Sequence, residues 1–171
     1  MMQKEQIEEA VKQHSDMLYR IALMRTGNVE EAQDMVQQTF LRLVEHYDEL
    51  DSEEHMKAWL IRVCCNHCYN LMKTPWKYKR TDEAMLPEIP DNSESGEQKT
   101  LQKLQCEALW REVYRLPEKY RMVLHLQYME EYSPGEIADI LSLDYNTVCV
   151  RLNRAKRLLA KRLDKEEFWN E

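Results

Sequence analysis

The chain has 171 residues, of which 43% are hydrophobic and 32% are charged, a composition typical of one or two globular domains. Three glycines and five prolines are too few for an all-β sandwich or barrel, and no two glycines lie close enough to form a phosphate-binding loop. The N-terminus is polar, and no apolar run approaches the roughly 20 residues of a membrane span. We therefore expect an all-α, cytoplasmic protein without stable membrane insertion.

Residues 1–80 are predicted to form a first domain of three long helices. The first helix should end at Gly27, and Asn28 with Glu31 resembles a capping box that opens the second. Asp51 or Ser52 should cap the third helix, which is expected to run to Pro75. Positions spaced three or four apart suggest one face of each helix. They are Ile7, Val11, Leu18, Ile21, Ala22 and Arg25 in the first helix; Ala32, Val36, Phe40, Leu43 and Tyr47 in the second; and Met56, Leu60 and Val63 beside Ala58, Ile61, Cys65, Cys68 and Met72 in the third.

Residues 81–103 are predicted to be a flexible acidic linker. They carry two basic and six acidic side chains, which account for over half of the net charge of −7. The first part also contains two prolines, a glycine and two serines, and it shows no helical periodicity.

Residues 104–171 are predicted to form a second domain of helices. One helix should begin near Leu101 and end at Arg115, and the next should begin with Pro117 at its first position and end near Met129. Ser133 and Glu136 form a second capping box that opens a short helix. After a turn over residues 142–144, a long helix should run from about residue 145 to residue 163.

The short helix, the turn and the long helix together indicate a helix-turn-helix. At 100° per residue, one face of the long helix is apolar, and we expect it to be buried; it consists of Val148, Leu152, Ala155, Leu159 and Leu163. The opposite face consists of Asn146, Val150, Asn153, Arg154, Arg157 and Lys161. Residues 145–163 contain six cations and no acid, whereas an ordinary solvated helix mixes both signs. This face therefore predicts DNA binding.

The five cysteines suggest reduced thiols rather than disulfides, because their number is odd and an export signal is lacking. Cys64, Cys65, His67 and Cys68 raise the question of zinc, but the sequence has no second Cys/His cluster to complete four ligands. We predict buried thiols, with no metal and no cofactor. The many carboxylate pairs carry no catalytic signature, so an enzyme is not expected.

Several segments resemble the extracytoplasmic-function (ECF) group of sigma-70 family RNA polymerase sigma factors. Residues 116–124, Glu136-Ile137-Ala138 and residues 147–156 resemble the C-terminal domain, sigma region 4. Residues 27–40 and 58–66 resemble sigma region 2. The resemblance covers nearly the whole chain, and the short acidic linker without a third domain is typical of the ECF group.

The resemblance implies core RNA polymerase, promoter DNA and an anti-sigma factor as partners. The first domain would hold the clamp of the β′ subunit and the −10 element, and the second domain would hold the β flap and the −35 element. The implied clamp residues are Asp34, Gln37, Phe40, Leu41 and Arg42. The implied −10 residues are Asn66, Tyr69, Asn70, Lys73, Trp76 and Lys77, with Tyr78 and Arg80 nearby. The implied −35 residues are Asn146, Thr147, Val150, Arg151, Asn153, Arg154 and Arg157.

Some alternatives stay open at this point. Trp59 and Phe40 fit a core role as well as a contact role. Residues 51–56 would, by resemblance, form the rim of a pocket for a flipped base. Cys149 and Val150 depart from the family pattern at base-reading positions, which puts the usual promoter sequence in doubt. A stand-alone helix-turn-helix regulator is the alternative function, and a helical adaptor with incidental basic patches is a further one.

Overall fold

The computed structural model describes residues 2–73 and 97–165, with side chains for 3–73 and 104–163. The chain divides into two compact units, Met1–Pro87 and Glu88–Glu171. In the described ranges all regular structure is helical, which confirms the all-α prediction. None of the helices in these ranges is long and apolar enough to cross a membrane.

The first unit contains α1 (Met2–Thr26), α2 (Val29–His46) and α3 (Glu53–Met72), each packed against the other two. The turn between α1 and α2 shows the predicted stop at Gly27 and the predicted N-cap at Asn28, and the N–H of Asn28 donates to the hydroxyl of Thr26 at 3.4 Å. Gly27 adopts a φ of 65°, a left-handed conformation that favours glycine, and the Asn28 side chain accepts a hydrogen bond from the backbone N–H of Glu31. A turn of 3₁₀ helix (Tyr47–Glu49) follows α2, and the hydroxyl of Ser52 caps α3.

The buried face of α2 differs from the predicted stripe. Ala32, Met35, Thr39 and Leu43 are buried, whereas Val36 and Phe40 are only half-buried. Thr39 can be fully enclosed because its hydroxyl donates a hydrogen bond of 2.7 Å to the carbonyl oxygen of Met35. A prediction from hydrophobicity counts threonine as polar and does not select Thr39. The predicted buried face is therefore rotated about the axis of α2 relative to the observed buried face.

The buried face of α3 is better matched, with one addition. Leu60, Ile61, Cys65 and Cys68 are buried as predicted, and Cys64, which belonged to neither predicted stripe, is also fully buried. The other four predicted positions are only half-buried: Met56, Ala58, Val63 and Met72. The helix ends at Met72 rather than at Pro75.

The second unit contains α4 (Glu97–Arg115), α5 (Glu118–Leu124), α6 (Pro134–Leu141) and α7 (Tyr145–Lys165). Helix α7 packs against the other three. Residues 97–103 were assigned to the linker, but their backbone is the beginning of α4. The rest of the predicted linker lies outside the described residues.

The second predicted helix of this unit is interrupted. Pro117 precedes α5 in an extended conformation, with φ −51° and ψ 146°, so it caps the helix instead of occupying its first position. The α-helix ends at Leu124 and continues as a π-helical turn, His125–Met129, which is closed by a hydrogen bond of 3.2 Å from the N–H of Glu130 to the carbonyl of His125. Its first residue, His125, is completely buried, with Nε2 3.4 Å from Oε1 of Glu130.

Two buried charged residues hold the helices of this unit together. The carboxylate of Glu112, on α4, lies 2.7 Å from Arg115 and 3.6 Å from Arg162 on α7. Arg121, on α5, donates from Nη1 to the carbonyl oxygens of Tyr114 (3.2 Å), in the last turn of α4, and of Leu116 (3.3 Å), just after it. Arg121 therefore donates to carbonyls at the end of α4 and links α4 to α5.

We predict that Arg121→Met destabilises the second unit by roughly 2–4 kcal/mol, because it leaves buried carbonyls without their charged donor. Hydrogen–deuterium exchange of the full chain should show reduced protection in α4 and α5. Arg111→Met is the matched control, since Arg111 is exposed and its carboxylate partner Glu107 is 3.9 Å away. Equal protection in the two variants would contradict the role given to Arg121.

Candidate nucleic-acid interface

The helix-turn-helix forms as predicted. Ser133 and Glu136 make the reciprocal capping box at the start of α6, with the Ser133 N–H donating to the Glu136 carboxylate at 2.8 Å. Ser142 follows α6 in a left-handed conformation (φ 55°), and the N–H of Leu143 donates a hydrogen bond to the carbonyl of Ala138. This turn directs the chain into α7, whose first turn is closed by the bond from Val148 N–H to the Asp144 carbonyl.

The orientation of α7 is set by its apolar side chains. Val148, Leu152, Ala155 and Leu163 are buried as expected, and Leu159 is half-buried. The whole predicted outward face is exposed: Asn146, Val150, Asn153, Arg154, Arg157 and Lys161. Thr147 and Arg151 lie half-buried at one edge of it. The exposed face is therefore cationic and without carboxylates.

Val150 and Cys149 occupy different environments on this helix. The side chain of Val150 is 45% exposed, which is high for an apolar residue at the centre of a polar face. Cys149 is half-buried, and its hydrogen bond with Tyr145 raises the pKa of that phenol. The thiol of Cys149 thus engages a residue of its own helix, while Val150 is free to contact another molecule.

An open groove lies between the start of α5 and the exposed face of α7. It has a volume of about 360 Å³ and is lined by Lys119, Tyr120, Asn146, Thr147, Val150, Arg151 and Arg154. Lys119 and Tyr120 were not among the predicted DNA-contact residues. Their position beside α7 depends on tertiary packing. The signals in the sequence were their place within residues 116–124, which resemble sigma region 4, and a cation next to an aromatic residue just after Pro117.

The predicted −10 residues that the structure describes share one exposed face of α3. Asn66, Tyr69, Asn70 and Lys73 recur at intervals of three or four residues, and all four are exposed. The Nζ of Lys73 lies 4.3 Å from the ring centroid of Tyr69. Trp76, Lys77, Tyr78 and Arg80 lie outside the described residues.

Trp59 is neither fully buried, as a core role would require, nor fully exposed, as a pure contact role would require. Its side chain is half-buried, and its ring centroid is 5.9 Å from that of His46 at the end of α2. The indole therefore packs against α2 while part of it stays accessible.

The predicted clamp residues lie on α2 with mixed exposure. Asp34, Gln37, Leu41 and Arg42 are exposed, and Phe40 is half-buried. Leu41 is joined by Val44, which the sequence analysis did not select; both side chains are 54% exposed. Leu41 and Val44 are three residues apart, so these two exposed apolar side chains are neighbours on the surface of α2.

Helix α3 contributes a histidine to this same surface. Burial lowers the pKa of His67, the Arg42 guanidinium lowers it further, and the Asp34 carboxylate opposes both effects. His67 therefore lies within the electrostatic field of Arg42 and Asp34, so α3 borders the face of α2 that is predicted to bind the polymerase clamp.

The three cysteines of α3 form a buried thiol cluster: Cys64, Cys65 and Cys68. The hydrogen bond with Cys68 lowers the pKa of Cys64 against the opposing effect of burial, whereas the same hydrogen bond and burial together raise the pKa of Cys68 well above its usual value. Within the ranges that the structure describes, no group of three or more His, Cys, Asp or Glu side chains could hold a metal ion.

Comparison with known proteins agrees with this geometry. The sigma-70 region 2 family matches residues 10–78, and the sigma-70 region 4 family matches residues 106–159. The ECF sigma factor SigW of Bacillus subtilis is 28% identical over 158 residues, covering 88% of this chain and 84% of the relative. The sigma factor SigV of the same organism is 24% identical and covers 92% of this chain and 91% of the relative.

The fold is also found in solved structures of low sequence identity. The sigma factor RpoE of Bartonella quintana, solved with the anti-sigma factor NepR, aligns with a TM-score of 0.69 at 18% identity and covers 94% of this chain and 98% of that one. CnrH, solved with the cytosolic domain of CnrY, aligns with a TM-score of 0.63 at 21% identity and covers 95% of this chain and 90% of that one.

Two helical units, the first with a polar aromatic face and the second with a cationic helix-turn-helix, define a DNA-binding transcription factor. The chain belongs to the sigma-70 family of RNA polymerase sigma factors, and within it to the ECF group.

Proposed function

We propose that the chain directs core RNA polymerase to its promoters through three surfaces. The exposed face of α7 contacts the −35 element, the face of α3 that contains Asn66 and Tyr69 contacts the melted −10 strand, and the exposed face of α2 docks on the β′ clamp. The second unit also contacts the β flap. The protein acts in the cytoplasm as an initiation factor and not as an enzyme, and an anti-sigma factor is its regulatory partner.

The observation that carries this proposal is the exposed face of α7. Three cations, Arg154, Arg157 and Lys161, are exposed on this face, and a fourth, Arg151, lies at its edge. The face has no carboxylate, although the net charge of the protein is −7. Arginine and asparagine side chains on a helix that fits the major groove can donate to base edges and phosphates. A stand-alone regulator would also use such a helix, but it would have no need of the α2 and α3 faces, and the relatives named above are sigma factors.

In vitro transcription with core polymerase on a library of genomic promoter fragments tests the function as a whole. The chain alone should bind promoter duplex weakly because its basic surface is small, and specific initiation should appear only with core enzyme. Tight, sequence-specific binding of an operator by the isolated protein would instead support a stand-alone regulator.

We predict that Asp34→Arg abolishes association with core polymerase, because a cation would face the basic surface that we expect on the clamp. Co-purification with core enzyme measures this, and circular dichroism reports whether the helices are retained. Asp16→Arg, the same charge reversal at an exposed position of α1, should co-purify normally. Normal co-purification of Asp34→Arg would remove Asp34 from the interface.

We predict that Asn66→Ala and Tyr69→Ala spare core binding but impair open-complex formation. The stacking of a base on an aromatic ring is worth about 1–3 kcal/mol, and the ring of Tyr69 is exposed beside Lys73. Permanganate footprinting of the −10 region measures the melted state. Tyr69→Phe keeps the ring and should retain most of the melting, so an equal defect in Tyr69→Phe and Tyr69→Ala would contradict stacking.

We predict that a thymine of the −35 element faces Val150, because an apolar side chain in the major groove can pack on the thymine methyl. Val150→Ser should change the preference at one base pair by about 1–3 kcal/mol in a scan of −35 variants. Cys149→Ser, at the half-buried neighbour, should shift no position, and Arg157→Ala should weaken all promoters about equally. A scan in which Val150→Ser shifts no position would assign specificity to Asn146, Thr147, Arg151 and Arg154.

A further inference from the structure

One exposed aromatic side chain of the second unit has no part in the proposed DNA contact. Tyr128, in the π-helical turn, is 54% exposed, although so large a ring gains from burial. Its ring centroid lies 5.7 Å from the Nζ of Lys156 on α7. The ring of Tyr128 therefore lies beside the later turns of α7, where an apolar area adjoins a cation.

The later turns of α7 extend this surface. At 100° per residue, Lys156, Arg157, Ala160 and Lys161 fall within about 140° of one another, and all four are exposed. Together with Tyr128 they form what we call the Tyr128 surface. Its apolar part is Tyr128 and Ala160, and its other three residues are cations. A segment that contains both carboxylates and aromatic rings is the partner that fits such a surface.

The sequence that directly follows α7 has this complementary chemistry. Residues 166–171 read Glu-Glu-Phe-Trp-Asn-Glu and lie outside the described residues. Their three carboxylates match the three cations of the Tyr128 surface in number and are opposite in charge. Phe168 and Trp169 can pack on a tyrosine ring, because aromatic side chains gain from contact with one another as well as from burial.

The length of the chain allows this segment to reach the surface. Helix α7 ends at Lys165, and Arg157 precedes that residue by eight positions, which is about 12 Å along the helix axis. Lys161 is nearer, at about 6 Å along the axis. Six extended residues span up to about 20 Å, so residues 166–171 can cover both cations even when part of that length forms a turn.

We propose that residues 166–171 fold back on the Tyr128 surface and cover Arg157 and Lys161 in the free protein, an inference that rests on the proposed role of α7. A carboxylate bound to Arg157 occupies the same N–H donors that a DNA phosphate would take. The contact is therefore autoinhibitory, since DNA must displace the segment before both cations reach the backbone. If the segment is closed in about nine chains of ten, the apparent affinity for duplex DNA is about 10-fold below its intrinsic value.

Zero-length cross-linking of the full chain tests the contact directly. A carbodiimide joins a carboxylate to a neighbouring amine as an amide, with loss of water. Mass spectrometry should find links from the glutamates of residues 166–171 to Lys156 or Lys161. Lys4 and Glu8 on α1 are the positive control, because their Nζ and Oε1 atoms lie 3.8 Å apart.

The same experiment can overturn the proposal in two ways. Detection of the Lys4–Glu8 link without any link from residues 166–171 to either lysine would exclude the contact. In a mixture of isotope-labelled and unlabelled protein, each link should join residues of one chain. Links between labelled and unlabelled chains would show a contact between two copies instead, and the proposal of an intrachain cover would fail.

Binding of the full chain to a short duplex of random sequence, measured by fluorescence anisotropy, tests the inhibition. Phe168→Ala combined with Trp169→Ala keeps the net charge of −7 but removes the aromatic contacts, so it should raise the affinity about 10-fold at low salt. Salt screens exposed ion pairs, so the difference from the wild type should shrink as the salt concentration rises. Wild-type affinity in this variant at every salt concentration would contradict the inhibition.

A second pair of variants controls for the charge of the protein. Glu166→Gln combined with Glu167→Gln should also raise the affinity for the duplex. Glu8→Gln combined with Glu9→Gln makes the same change of net charge at two exposed positions of α1 and should have a much smaller effect. Equal gains in the two double variants would indicate a general charge effect and would overturn the proposal.

Arg154→Gln separates failure of this inference from failure of the proposed function, because Arg154 is exposed on α7 but does not belong to the Tyr128 surface. If Arg154→Gln weakens duplex binding while the variants of residues 166–171 change nothing, α7 contacts DNA and the segment does not inhibit it. If Arg154→Gln also binds like the wild type, the proposed role of α7 fails together with the inference.

Discussion

The burial of Val148, Leu152 and Ala155 is the constraint on which the arrangement of the second unit depends. These side chains fix the rotation of α7 about its own axis, because turning the helix would expose them and bury Arg154 and Arg157. Burying a valine or leucine contributes roughly 1.5–3 kcal/mol each, and burying an unpaired guanidinium is strongly unfavourable. The same apolar contacts that stabilise the unit therefore also decide which side chains are offered to DNA.

The first unit couples its two proposed surfaces through a shared pair of helices. The exposed residues of α2 and the exposed residues of α3 project from helices whose other faces meet in the core, where Thr39, Cys64 and Cys68 interact. Half-buried His67, on α3, is influenced electrostatically by Asp34 and Arg42 on α2. A partner that binds α2 would therefore contact a helix that packs directly against α3, the helix that positions Asn66 and Tyr69.

Most helices and the exposed face of α7 could be predicted from the sequence, because caps and apolar spacing are local signals. Asn28, Ser52 and Ser133 cap the helices that they were predicted to cap, and Gly27 ends α1. The rotated face of α2 could not be predicted, since a buried Thr39 looks polar in a pattern. The groove between Lys119 and α7 was also missed, because it joins residues about 30 positions apart through packing.

The π-helical turn over His125–Met129 decides where the glutamate that follows it lies. A π turn contains about one residue more than an α turn, so each of its residues advances less far round the helix axis. An unbroken α-helix would place residue 130 further round the axis, away from the imidazole that its carboxylate approaches at 3.4 Å. A substitution that restored regular α-helix over these residues would therefore separate the carboxylate of Glu130 from the buried ring of His125.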